Sequence, residues 1–140
     1  MYMQQIIVHY QLEEQFNKIT QNLKVSNEST RAYIFGIFKN KLINNNDLSK
    51  DSITIKYAEA KFSYDFEKFQ ILGDWIFFTK SIFPKSLNRA SPEYYDAIAQ
   101  NSYYRCYKIL DKKWILFEEL ADEFTNLTNT IQQYDLLNIP

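Results

Sequence analysis

The sequence predicts an all-α fold: a single-domain bundle of five to seven helices around a buried central helix at about 64–83. Three observations carry this. Between Phe62 and Phe83, at roughly 100° per residue, Phe62, Phe66, Phe69, Leu72, Gly73, Ile76 and Phe77 fall on one face, and Tyr64, Ile71, Trp75, Phe78 and Ile82 on the other. A helix that is apolar on both sides must be covered on both sides. The chain has only two Gly and three Pro, too few for the hairpin turns of an all-β fold, which demand Gly or Asn at positive φ. Elsewhere apolar residues recur at helical spacing, and one domain fits the 140 residues, 1–140.

Leu12, Phe16, Ile19 and Leu23 place a first helix over about Tyr10–Lys24. Ile6-Ile7-Val8 leaves residues 4–10 readable either as its extension or as a short extended segment. Ser26-Asn27 supplies an N-cap for a second helix striped by Ile34, Phe35, Phe38 and Leu42, with Glu28 suiting its dipole. Gly36 costs that helix about 1 kcal/mol against Ala, which suggests a close neighbour there. Asn44-Asn45-Asn46-Asp47 reads as a loop. Residues 52–57 alternate like a strand through Ile53, Ile55 and Tyr57, but Ile53, Tyr57 and Ala60 suit a helix, and a lone strand has no partner.

The central helix ends before Pro84, because the residue preceding proline avoids the α region. A connector with room for one short helical turn leads to Ser91-Pro92-Glu93, where serine caps, proline fits the first helical position and the acid suits the dipole. That helix runs to about Leu110, with Tyr95, Ile98, Ala99, Ser102, Tyr103, Cys106, Ile109 and Leu110 on one face. A last helical region spans Lys112 to about Asn138, striped by Phe117, Leu120, Phe124, Leu127, Ile131 and Tyr134. Thr125-Asn126 is its candidate break, because both residues prefer caps to helix interiors.

The segments Leu72-Gly73-Asp74-Trp75, Phe77-Phe78, Phe83-Pro84, Leu87-Asn88-Arg89, Ser91 and Tyr94-Tyr95, followed by Leu116-Phe117-Glu118-Glu119-Leu120, form a recognisable pattern. It resembles the "LGD…FF…FP…S..YY" core and "LF.EL" helix of a family of small uncharacterised bacterial helical proteins. The resemblance covers the second half of the chain. It implies a helical domain and transfers no activity, cofactor or catalytic residue.

The chemistry-bearing residues are few. Asp74, at the edge of an apolar stripe, is either solvated or paired inside, with Arg89 and Arg105 its nearest partners in sequence. These three are the candidate polar core or pocket. A structural link is the expected role and a catalytic acid the sharper alternative, but no second acid, His or Cys is placed to share the work. Tyr94, Tyr104 and Tyr107 lie off the main face of their helix. They are the candidate interaction surface, or else a second packed layer. Cys106 is the single cysteine, read as a core residue in a reducing compartment. His9 is the single histidine, so an imidazole metal site is not expected. Glu118-Glu119 and Asp122-Glu123 read as a solvated acidic edge rather than a cation site.

No phosphate loop, nucleophile elbow, C-x-x-C or H-E-x-x-H occurs. Neither metal nor cofactor is expected. A net charge of −1 and the absence of a dense basic run argue against nucleic acid. No signal-like or membrane-spanning run is visible. The leading expectation is a non-enzymatic, cytoplasmic interaction module, an adaptor or accessory subunit of a bacterial complex, with a protein partner or self-association. Small-molecule binding or an unrecognised enzyme is one alternative, and an antitoxin or immunity-type inhibitor another.

Overall fold

The structure is a computed structural model that describes residues 2–43 and 53–134, with only the backbone described for residues 2–10, 42 and 43. It is an all-α bundle of seven helices, with no strand among the described residues. In order they are α1 (Tyr2–Asn22), α2 (Glu28–Ile43), α3 (Ile53–Ser63), α4 (Phe66–Ile82), α5 (Pro92–Ile109), α6 (Ile115–Asp122) and α7 (Phe124–Gln132), with one 3₁₀ turn at Pro84–Ser86. Residues 4–10 extend α1, and the ambiguous segment from Ile53 is helical. The polar loop expected at 44–47 and the stretch beyond 134 lie outside the described residues.

The caps follow the residue chemistry. Asn27 Oδ1 accepts from the Ser29 N–H at 3.0 Å, and Ser91 Oγ accepts from the Tyr94 N–H at 3.3 Å, satisfying donors that have no partner within the helix. The predicted central helix is cut shorter than its two stripes suggested. Tyr64 takes a left-handed φ of 51°, ending α3, and Asp65 caps α4 by accepting from the Glu67 N–H at 3.0 Å. A carboxylate with an acid two residues on is a strong N-cap, and it overrides the apolar continuity across 62–66. Phe62 and Tyr64 therefore belong to the end of α3. The last region likewise breaks at Glu123 rather than at Thr125-Asn126. Neither glycine sits at positive φ, so Tyr64, Asp111 and Lys112 make the left-handed turns. A bond from the Lys112 N–H to the Tyr107 carbonyl (2.9 Å) closes α5.

Helix α4 packs against α2, α3, α5 and α7. Phe69, Leu72, Ile76 and Phe77 are buried on its first face, and Trp75 and Ile82 on its second, with Phe78 half-buried between Phe38 and Phe83. Ile71 is the exception on that second face, 45% exposed. Phe77 meets Phe38 of α2 at 6.3 Å and Phe124 of α7 at 5.6 Å, so α4 is wrapped from two sides by aromatic contacts.

The close neighbour expected at Gly36 is found at Gly73 instead. A Cβ on Gly36 would meet nothing within 4 Å, so no close neighbour explains this residue. A Cβ on Gly73 would lie 2.9–3.1 Å from ring carbons of Tyr103, which is fully buried. Gly73 is what lets α5 approach α4. Gly36→Ala is expected to raise the unfolding free energy by about 0.5–1 kcal/mol through helix propensity. Gly73→Ala should lower it by about 1–3 kcal/mol through overpacking. Urea titrations of both variants measure the difference, and equal effects at the two sites would contradict this packing.

Candidate functional site

Three features of the bundle hold chemistry. The first is a polar junction within the core. Asp74 accepts from the Tyr33 hydroxyl of α2 (2.9 Å to each oxygen) and from the Tyr103 hydroxyl of α5 (2.8 Å). Gln70 Nε2, one turn before Asp74, donates to the Tyr33 hydroxyl at 2.9 Å. The bodies of both tyrosines rest on Phe117 of α6, at 5.4 and 6.2 Å. Burial pushes the Asp74 carboxyl up to about 7, against the two hydroxyls and Lys41, which hold it down. Burial, and then the neighbouring carboxylate, raise both tyrosines well above their usual range. The junction ties α2, α4 and α5 together.

The expected arginine partners are not the ones Asp74 uses. Arg105 lies over the Tyr64 ring at 5.7 Å, and the Arg89 backbone N–H donates to the Tyr95 hydroxyl at 3.2 Å. Two tyrosine hydroxyls satisfy a buried carboxyl without bringing in a second charge, which avoids the desolvation cost of an ion pair. Asp74, Arg89 and Arg105 thus do not form one pocket. Cys106 is buried, its thiol 3.8 Å from the Phe66 carbonyl and pushed up strongly by burial, so it is held protonated. The side chain of His9 lies outside the described residues. The acidic edge is not simply solvated: Glu119 accepts from the backbone N–H groups of Ser26 and Asn27 at 2.5 and 3.2 Å, fastening α6 to the start of α2.

The second feature is an ion pair the sequence reading missed. Lys80 Nζ of α4 stands 2.8 and 2.9 Å from the two oxygens of Asp96 on α5. Thr125 Oγ1 of α7 donates to Asp96 at 2.9 Å, and the ammonium lies 5.4 Å from the centre of the Phe124 ring. Both charged residues are buried. Their signal was present in the helical register. Lys80 continues the stripe through Gly73, Ile76 and Phe77, and Asp96 precedes Ala99 and Tyr103 by three and seven residues. Opposite charges on the buried stripes of consecutive helices must find each other. The pair forms the wall of a cleft of about 530 Å³ between the end of α4, the start of α5 and α7.

The third feature lies at the opposite end of the bundle. The Cys106 contact with Phe66, the Phe66–Phe117 ring pair at 5.6 Å and the Arg105–Tyr64 stack bring together the ends of α3 and α5 and the starts of α4 and α6. Large apolar side chains stand out of this end: Phe62 (94% exposed), Trp114 (56%), Ile115 and Tyr64. Tyr104 and Tyr107 adjoin it, their rings 6.1 Å apart, with Lys108 over Tyr104 at 5.6 Å. Tyr94 does not join them. It lies about 15 Å further back along α5, and its hydroxyl meets Thr54 of α3 at 2.7 Å. The three off-face tyrosines therefore do not make one surface. Phe62 and Trp114, the most exposed rings among the described residues, escape sequence reasoning because the apolar period carries Phe62 into the central helix and no pattern marks Trp114.

No group of three or more His, Cys, Asp or Glu side chains among the described residues is placed to hold a metal ion. No helix there is long and apolar enough to cross a membrane. No family model, curated protein or solved structure matches the chain.

Proposed function

We infer that this chain is a non-enzymatic interaction module, an adaptor or accessory subunit in a bacterial cytoplasm, which docks a protein partner on its aromatic end. The single observation that carries the reading is the exposure of Phe62 and Tyr64 at the end of α3 and of Trp114 and Ile115 at the start of α6, at the end of the bundle where the Phe66–Phe117 and Arg105–Tyr64 contacts lie. Apolar side chains gathered in this way on a folded surface mark contact sites, and Trp and Tyr lead among residues that dominate binding energy. The surrounding charge sets the partner's chemistry. Close to the rings in the chain stand Lys61, Arg105, Lys108, Lys112 and Lys113, against Asp65, Asp111 and Glu118, and Arg105 lies over the Tyr64 ring itself. The fitting partner is a protein surface with an apolar centre and an acidic rim. The buried lone thiol suits a reducing compartment.

The test compares the wild-type chain with Phe62→Ser/Trp114→Ser as bait in its host's extract, beside sedimentation over a range of concentrations. The reading expects a bound protein, or a second copy, that the double variant loses and that added salt weakens. An identical captured set for both baits together with a monomer at every concentration would overturn it. So would capture of nucleic acid in place of protein.

A further inference from the structure

We propose that the cleft beside the Lys80–Asp96 pair binds a small organic cation, a protonated primary amine or guanidinium on a short apolar body. The site is independent of the aromatic end. Its volume of about 530 Å³ falls in the range of small-molecule sites, and its charged lining residues, Lys80, Glu93 and Asp96, leave a net negative charge. The one ammonium in the wall is engaged: Lys80 faces both Asp96 oxygens and the Phe124 ring. Gln100 and Gln132 each use one amide N–H inside the fold. Gln100 Nε2 donates to the Ala121 carbonyl at 3.1 Å, and Gln132 Nε2 to the Lys80 carbonyl at 2.8 Å. Because backbone carbonyls only accept, the nitrogen must be the bonded atom in each amide. The amide oxygens then take no hydrogen bond from the described residues. Glu93, exposed on the first turn of α5, adds a carboxylate to the same wall. What the cleft offers a ligand is thus two free amide oxygens and the Glu93 carboxylate, beside the remaining amide N–H groups and the Tyr95 hydroxyl, next to the apolar surfaces of Pro84, Leu87 and Pro92. A donor-rich cation with an apolar body matches both halves of that wall. An anion would meet the Glu93 carboxylate, which repels it.

The experiment titrates the full chain with phenethylammonium and, separately, with phenylacetate, which has the same ring and the opposite charge. Amide shifts of the Gln100 and Gln132 side chains are followed by NMR. The expected result is saturable shifts with the amine, at least tenfold weaker binding of the carboxylate, and a threefold to fivefold loss for the amine in Glu93→Gln, the size of roughly one partly exposed charge pair. Asn129→Asp, an exposed change on the same wall, should tighten the amine. Equal or tighter binding of phenylacetate, no saturable shift with the amine, or unchanged affinity in Glu93→Gln would overturn the proposal.

Discussion

Lys80→Met is expected to lower the unfolding free energy by about 3–5 kcal/mol, because it leaves the Asp96 carboxylate buried with only Thr125 to answer it. The effect is not a measure of the pair's net worth. Bringing an ammonium and a carboxylate out of water costs several kcal/mol per ion, and their attraction only offsets that cost. Lys80→Met/Asp96→Leu should therefore recover most of the loss and fall within about 1–2 kcal/mol of the wild type. Urea unfolding of the two single variants and the double variant at pH 7 closes the cycle. Additive losses would mean that the two residues do not act on each other across α4 and α5.

Asp74 is expected to make the fold more stable in mild acid than at neutral pH, the reverse of the usual carboxylate. Its folded value of about 7 stands above the ordinary carboxylate range. Between about pH 4 and 7 the folded chain then keeps a proton that the unfolded chain releases. By linkage, the stability this group contributes is complete below pH 4, declines as pH rises toward 7 and levels off above about 8. At about 1.4 kcal/mol per pH unit over that interval, the expected decline is on the order of 2–4 kcal/mol. Asp74→Asn keeps an acceptor for the Tyr33 and Tyr103 hydroxyls but removes the proton, so its stability profile should be flatter from pH 4 to 8. The variant should equal or exceed the wild type at pH 8. A profile parallel to the wild type's would show that Asp74 keeps an ordinary affinity for protons.

Most of the helical layout was legible in the chain because it rests on local rules. Ser91-Pro92-Glu93 begins α5 for three independent reasons, and the stripe from Tyr95 to Cys106 is buried as its period requires. Legibility failed where two local signals competed or where a contact was long-range. Across 62–66 the apolar period ran on through a helix stop that Tyr64 and Asp65 impose, which put Phe62 in the core when it stands in solvent. Gly36 and Gly73 look alike in the sequence, and only the Tyr103 ring tells them apart. Asp74 announced itself as a polar residue among apolar ones, but its tyrosine partners lie 41 and 29 residues away on other helices. Nearness in sequence pointed to the arginines instead. The cleft is of the same kind: each lining residue is unremarkable alone, and the ordering of its amides follows from carbonyls on α4 and α6.

The measurement that bears most directly on the interaction-module reading is the equilibrium stability of Phe62→Ser/Trp114→Ser by urea unfolding. If these rings are held for a partner and not for the core, removing them lowers the unfolding free energy by no more than about 0.5 kcal/mol at Phe62, 94% exposed, and about 1 kcal/mol at Trp114, 56% exposed. A loss of more than about 2 kcal/mol, the scale of a buried aromatic, would mean that both rings pack inside the isolated chain and that the aromatic end is not a docking surface.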